Sequence, residues 1–338
     1  MKYLIEIHHG IGDIVQMMSV VECILQYDAK AYIAIILNKD QYKELFSKDD
    51  RISAFFRIDL KIMTKLQILK EVKRMRKEHF DYFFLSPISN GKASRILAWL
   101  VGAQTSVGEQ LIGRKKSWRY IETEDVHIVR RNFNLLTILD NKMRILPPRL
   151  SLNDVEVCIN IKKKTIGLCI GTSIPQKTWK LSNYLNIAED FIALGYDIVF
   201  LGGEKEASLM EDLSLSDGVI DLTGKLSLIQ SAKVASKCCL IVGGDTGIMH
   251  MAAAVGGTTL TLFSCTDPRL HCPYSDKSYF YNIELPCQYC YERGEVALCQ
   301  KHRCINEIEV EKVKDLMVSI LGNVVDNKFK FYDNAFVR

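Results

Sequence analysis

The chain of 338 residues has no apolar stretch approaching the roughly 18–20 residues of a helical membrane span. Its opening, MKYLIEIHHG, is broken by Glu6, His8 and His9 after a few apolar residues. It reads as a first strand and not as a signal peptide, so the expected location is cytoplasmic. The chain also lacks a strong excess of one charge: 44 basic against 40 acidic residues leave +4, too mild to imply a nucleic-acid partner. No internal repeat is evident. The first βα loop lacks a dinucleotide fingerprint, because Gly10-Ile11-Gly12-Asp13-Ile14-Val15 has no third glycine and sets a carboxylate where a pyrophosphate would lie. NAD is thereby disfavoured. A Tyr-x-x-x-Lys on a helix is missing too, since Tyr27-Asp28-Ala29-Lys30 falls at a helix end. A Rossmann-type dehydrogenase or nucleotide-sugar epimerase thus lacks both of its signatures.

What is present is ordinary globular composition, 48% hydrophobic and 25% charged, at a length that suits two domains. Residues 3–7, 31–37, 82–85 and 105–108 read as strands alternating with helices over 14–26, 61–79 and 94–101, the pattern of a parallel sheet covered on both faces. On the helix over 61–79, Met63, Leu66, Leu69, Val72 and Met75 recur as one apolar stripe. Its outer face carries Lys65, Lys70, Lys73, Arg74, Arg76 and Lys77. A second basic cluster follows at Arg114, Lys115, Lys116 and Arg119, with Trp118 between. Such runs are solvated surface, or they attract an anionic acceptor or membrane surface. Pro147-Pro148 ends this half. A linker with a short strand near 155–159 leads to a second α/β alternation. The divisions expected are 1–150, 151–310 and a helix and tail over 311–338.

The most informative stretch is Leu240 to Pro268, LIVGGDTGIMHMAAAVGGTTLTLFSCTDP. A short apolar strand runs into Gly243-Gly244-Asp245-Thr246-Gly247, which opens a helix. Asp245 or Thr246 suits the N-cap, and Gly247 allows a ligand to approach the backbone. Helix N–H groups at a strand's carboxyl end favour an anion, above all a phosphate. His250 lies on the same helix face as Thr246, or else is a core histidine. Upstream, Gly171-Thr172-Ser173 follows a strand and precedes Pro175-Gln176-Lys177-Thr178-Trp179, where Lys177 suits a phosphate as a point charge. Gly202-Gly203-Glu204 is another glycine-rich turn past which a nucleotide could run. Asp13 suits either a helix cap or a base facing a hydroxyl.

D-T-G-x-x-H-x-A-A-A followed by T-D-P resembles the donor-binding segment of the lipopolysaccharide heptosyltransferases, glycosyltransferase family 9. G-x-S-x-P-x-K-x-W at 171–179, L-T-G-K-x-S-L at 222–228 and the first-loop G-D match in the family's order. Met18-Ser19 stands where the family has a proline. The resemblance implies a GT-B fold: an N-terminal acceptor domain and a C-terminal nucleotide-sugar domain facing a cleft, with the last helix crossing back to the first domain. It implies inverting transfer of heptose from ADP-heptose to a glycan, glycolipid or protein acceptor, with Asp13 as base and no catalytic metal. Donor contacts would come from Gly12, Thr172, Ser173, Lys177, Gly203, Lys225, Asp245, Thr246, Gly247 and His250. Lys225 is equally readable as a surface lysine. A sensor or scaffold that kept the donor pocket without turnover is the non-enzymatic alternative. Work at the inner membrane face would follow from a lipid-linked acceptor.

Cysteine is plentiful, with eleven residues. Cys287-x2-Cys290-x8-Cys299-x4-Cys304 has the spacing of a tetrahedral thiolate site for structural iron or zinc, the alternatives being reduced thiols or disulfides. It is similar to the iron-binding finger of the autotransporter heptosyltransferases.

Overall fold

A computed structural model describes residues 1–7, 10–46, 48–87, 92–109, 118–121 and 126–331. The chain divides into two compact units, Met1–Asn153 and Asp154–Arg338.

The first unit runs β1 (Lys2–Ile7), α1 (Ile11–Tyr27), β2 (Tyr32–Leu37), β3 (Ala54–Arg57), α2 (Lys65–Lys77), β4 (Tyr82–Phe84), α3 (Lys92–Val101), β5 (Thr105–Glu109), β6 (Trp118–Ile121) and α4 (Ile128–Asn134). Its sheet is parallel in the order β3-β2-β1-β4-β5-β6, with Tyr3 in register with Ile33 on one side and Tyr82 on the other. The apolar run Tyr3-Leu4-Ile5 is fully buried, as a strand covered on both faces must be. Val72, Met75, Leu97 and Val101 of α2 and α3 pack on one face against Leu4, Phe56 and Phe83. The α1 helix is buried continuously from Ile14 to Val21 and is apolar almost all round. At Met18-Ser19, where the resemblance expects a proline, Ser19 Oγ donates to the Leu146 carbonyl at 2.5 Å. The unit's closing segment is thus tied to its central helix.

The α2 helix departs from the expected pattern in two ways. It starts later, because Thr64 and Gln67 form a capping box that satisfies its first donors. Only Val72 and Met75 of the expected stripe are buried, whereas Leu66 and Leu69 face outward. Periodicity marks a face but not what covers it. The strands β3 and β6 add to those read from sequence. His8, His9, Arg114, Lys115 and Lys116, and the side chains of Trp118 and Arg119, lie outside the described residues.

The second unit runs β7 (Thr165–Cys169), α5 (Leu181–Ala193), β8 (Asp197–Leu201), α6 (Glu204–Met210), β9 (Val219–Asp221), α7 (Leu228–Ala235), β10 (Leu240–Gly244), α8 (Gly247–Ala254), β11 (Thr259–Leu262), α9 (Pro268–His271), β12 (Ser278–Tyr281), α10 (Arg303–Asn306) and α11 (Val310–Leu321). Its parallel sheet has the order β12-β11-β10-β7-β8-β9, the same doubly wound plan. α5 and α11 cover one face, while Val234, Ala235, Met249 and Ala252 of α7 and α8 cover the other.

One expectation is corrected here. Residues 155–159 form no strand; Val157 and Ile159 instead lean on the α7–α8 core through side chains, with no strand ladder beside them. In the last helix Val313, Leu316, Met317 and Ile320 are buried in the second unit's core. The following segment stays there as well. Lys330 bridges Tyr279, and the Phe331 N–H donates to the Ser278 carbonyl at 2.8 Å.

Candidate functional site

Open doubly wound sheets bind ligands beyond the carboxyl ends of their strands, where the strand order reverses. In the second unit that point lies between β7 and β10. The loop after β7 brings Lys177, and the turn after β10 brings Asp245, Thr246 and Gly247. Lys177 Nζ donates to Asp245 Oδ2 at 2.6 Å, and Thr266 Oγ1, from the turn after β11, donates to the same oxygen at 2.7 Å. His250 Nε2 lies 3.6 Å from Asp245 Oδ1. Burial alone would push Asp245 up, but its interaction with His250 and the charge of Lys177 hold it well below the usual carboxylate range. Burial pushes Lys177 down, and the Asp245 carboxylate reverses that, so the ammonium is held above its ordinary value. Asp245 therefore serves as the buried counter-ion that fixes Lys177.

Glycine is required where these loops meet. A Cβ on Gly244 would stand 2.5 Å from the Lys177 carbonyl oxygen and 2.9 Å from Thr172 Cγ2. Thr172 Oγ1 donates to the Ile174 carbonyl at 2.8 Å and lies 2.6 Å from Thr178 Oγ1, which folds the 172–178 loop on itself. Trp179 anchors that loop, its ring buried and its Nε1 donating to the Ile308 carbonyl at 3.2 Å. Thr246 is the backbone N-cap of α8, but its side chain makes no cap bond, and Gly247 is the first helical residue. Ser173 is exposed at the rim.

Gly203 caps α6, and its N–H donates to Glu206 Oε2 at 2.8 Å. The Glu206 carboxylate stands so close to Gly171 that a Cβ there would meet it at 2.5 Å. Residue patterns did not single out Glu206, although G-x-x-E before a helix is a capping signature that could have marked it. Lys225 does not join Lys177. Its Nζ donates to Asp221 Oδ2 at 2.7 Å and to the Asp221 carbonyl at 2.9 Å, four residues back.

The segment holding the four clustered cysteines is laced onto this site. Gln288 Nε2 donates to the Ser264 carbonyl at 3.2 Å, and the Tyr291 N–H donates to the Cys265 carbonyl at 3.1 Å. Glu292 Oε1 accepts from the Asp267 N–H at 3.3 Å and lies 3.0 Å from His271 Nε2. The Tyr291 ring lies over Lys177, with Nζ 4.9 Å from the ring centroid. Cys287, Cys290, Cys299 and Cys304 are free thiols. Burial pushes Cys304 up to about 12, with the neighbouring thiols Cys265, Cys299, Cys290 and Cys287 acting in the same direction. The donor set is thus gathered in one neighbourhood, yet among the described residues no three His, Cys, Asp or Glu side chains converge as a metal site.

In the first unit, β1 leads into Gly10, the N-cap of α1, with Gly12 and Asp13 in its first turn. Asp13 is half-buried, and its Oδ2 accepts from the Gly10 N–H at 3.1 Å. Beyond β3 lies a pocket of about 330 Å³ whose lining includes Lys43, Arg57, Lys70 and Arg74. Asp40 pairs with Arg57 and Lys43, and Glu71 with Arg74.

A family model described as glycosyltransferase family 9 (heptosyltransferase) matches residues 68–301. Lipooligosaccharide heptosyltransferase 2 of Haemophilus influenzae is 31% identical over 124 residues, 35% of this chain and 36% of that protein. The chain's matches to curated relatives of this kind span from about a third to about half of the relative's length. The solved structure of Escherichia coli ADP-heptose lipopolysaccharide heptosyltransferase II aligns with 96% of this chain and 99% of its own, at TM-score 0.77 and 20% identity. An iron-containing dodecameric glycosyltransferase from enterotoxigenic E. coli aligns at TM-score 0.59 and 13% identity, over 94% of this chain and 78% of its own. These structural likenesses are likenesses of fold.

Proposed function

This chain belongs to glycosyltransferase family 9, with the two parallel-sheet units of a GT-B enzyme, and from that premise we propose that it transfers heptose from ADP-heptose, with inversion, to a hydroxyl of a lipopolysaccharide-type core. The observation that carries this reading is the convergence of Lys177, Asp245, His250 and the α8 N-terminus at the switch point of the second sheet.

In the proposed reaction the acceptor oxygen attacks the anomeric carbon as the bond from that carbon to the diphosphate breaks. Asp13 takes the acceptor proton. ADP leaves with the electron pair, and its growing charge meets Lys177 and the N–H groups at Gly247. The Lys177–Asp245 contact keeps the cation in place before the donor arrives. With such groups supplied by protein, the chemistry needs no catalytic metal. Glu206 stands where an acidic residue can accept from ribose hydroxyls. The basic pocket beyond β3 suits anionic groups of the acceptor. A lipid-borne acceptor would bring the enzyme to the inner face of a membrane.

Cys287, Cys290, Cys299 and Cys304 would hold a structural iron or zinc ion, in keeping with the iron reported for the E. coli glycosyltransferase of the same fold. Four protein sulfurs leave no open position, so the metal would order the finger. Elemental analysis of the purified protein tests this: one metal per chain, lost in Cys287→Ser, is the expected result.

Calorimetry against a panel of nucleotide sugars and NAD tests the donor, with ADP-heptose binding and NAD silent as the expected outcome. Asp13→Asn should abolish transfer while leaving donor affinity within about twofold, since proton transfer to a base supplies roughly 10²–10⁴-fold of rate. A variant that still turned over would remove Asp13 from its role. A pocket that binds donor in a protein with no transfer to any core acceptor would favour the sensor.

A further inference from the structure

The start of α2 carries a surface that the fold itself does not use. Leu60, Ile62, Leu66 and Leu69 are 55%, 68%, 78% and 53% exposed. Leu66, Leu69 and Lys73 share one helix face by their spacing, with Leu60 and Ile62 in the turn leading into it. Single exposed leucines are ordinary, but four large apolar side chains within ten residues make a patch, and patches mark interaction sites. Exposed Lys61, Lys65, Lys70, Lys73 and Lys77 surround it. The helix holds six basic residues against one acid, Glu71, which is engaged by Arg74 at 2.7 Å.

We propose that this face of α2 seats the protein on an anionic lipid bilayer. Leu60, Ile62, Leu66 and Leu69 enter the boundary between headgroups and acyl chains, and the lysines meet lipid phosphates. An exposed apolar strip flanked by lysine is the pattern of an interfacial helix. Charge decides against a second copy as the occupant, because pairing this face with itself would set lysine against lysine. Position adds to the argument. The chain leaves β3 at the carboxyl end of the parallel sheet, the end at which Gly10 and Asp13 follow β1. The basic pocket opens beside the same helix, sharing Lys70 and Arg74 with it. A lipid-borne acceptor could therefore be presented without leaving its bilayer. The surface stands on exposure and charge; only its use in catalysis rests on the acceptor proposed above.

The test sediments the full chain with vesicles of phosphatidylcholine alone and of phosphatidylcholine mixed with phosphatidylglycerol. Transfer is measured separately on a delipidated oligosaccharide acceptor. Binding should require phosphatidylglycerol and weaken with salt. The pair Leu66→Ser and Leu69→Ser should lower partitioning at least about tenfold. Lys61→Gln and Lys65→Gln should lower it about fivefold each. Both sets should keep the parent's melting temperature and its activity on the soluble acceptor, because these side chains contribute neither to the core nor to the pocket. Vesicle binding without transfer to any acceptor would leave this inference standing while the transferase reading fails. No sedimentation with anionic vesicles, or variants that bind as the parent does, would overturn it. So would a parent dimer that the two serines dissociate, since the face would then belong to a second copy.

Discussion

At the scale of single residues, the site turns on one buried ion pair. Removing one partner of such a pair strands the other charge and costs about 3–5 kcal/mol. Lys177→Ala is therefore expected to lower stability by that order and to lose most donor affinity, checked by urea unfolding and calorimetry. The pH dependence has a definite sign. Asp245 is held below its unfolded value, so its contribution is fully present above about pH 4 and is lost as pH falls below that. Melting temperatures of the parent should drop through this acid range, and Asp245→Asn should flatten that part of the curve. At Gly244 the constraint is steric. Gly244→Ala would push on the Lys177 carbonyl and cost about 1–3 kcal/mol, with weaker donor binding because the lysine loop must move. Circular-dichroism melts beside donor titration would register both losses. Lys225 shows where residue-level reading stops: a lysine beside a glycine turn suits a phosphate, and the pairing with Asp221 four residues earlier is set by the turn between them.

At the scale of elements, the loops were more legible than the surfaces. The D-T-G and K-x-W stretches could be read because each needs particular residue types at a strand's carboxyl end, and the structure brings Lys177 and Asp245 together there. Edge strands such as β9, with all three residues only half-buried, carry too weak an apolar signal to stand out. Leu66, Leu69, Val72 and Met75 follow one another in three-residue steps, each about 60° short of a full turn, so the first pair faces away from the side that Val72 and Met75 bury. The cysteine spacing suggests a metal but does not tell that this segment walls the neighbouring site, because Tyr291 meets Lys177 only through long-range folding. A cation over an aromatic face contributes about 1 kcal/mol. Tyr291→Ala should thus weaken donor binding about fivefold and Tyr291→Phe hardly at all, a contrast that calorimetry resolves and general loss of structure would not reproduce.

At the scale of the whole molecule, two sheets with the same strand plan are given different parts in the proposed reaction. In that proposal the donor groups lie in the second unit and Asp13 in the first. A ligand stabilises what it binds, by about 2.7 kcal/mol at a hundredfold excess over Kd. Added ADP should raise the unfolding transition of the second unit and leave that of the first in place, as hydrogen exchange resolved by peptide would report. Protection spreading equally over residues 1–153 would mean that the nucleotide is held elsewhere.

The packing of α11 has a consequence for how the chain matures on the ribosome. All strands and helices of the first unit precede residue 154, so it can consolidate while translation continues. The second unit cannot seal its interior until Val313, Leu316, Met317 and Ile320 emerge from the exit tunnel. Through that interval the face that holds Ile166, Leu168 and Phe200 has α5 over it but not α11. The nascent second unit is then the part most in need of a chaperone.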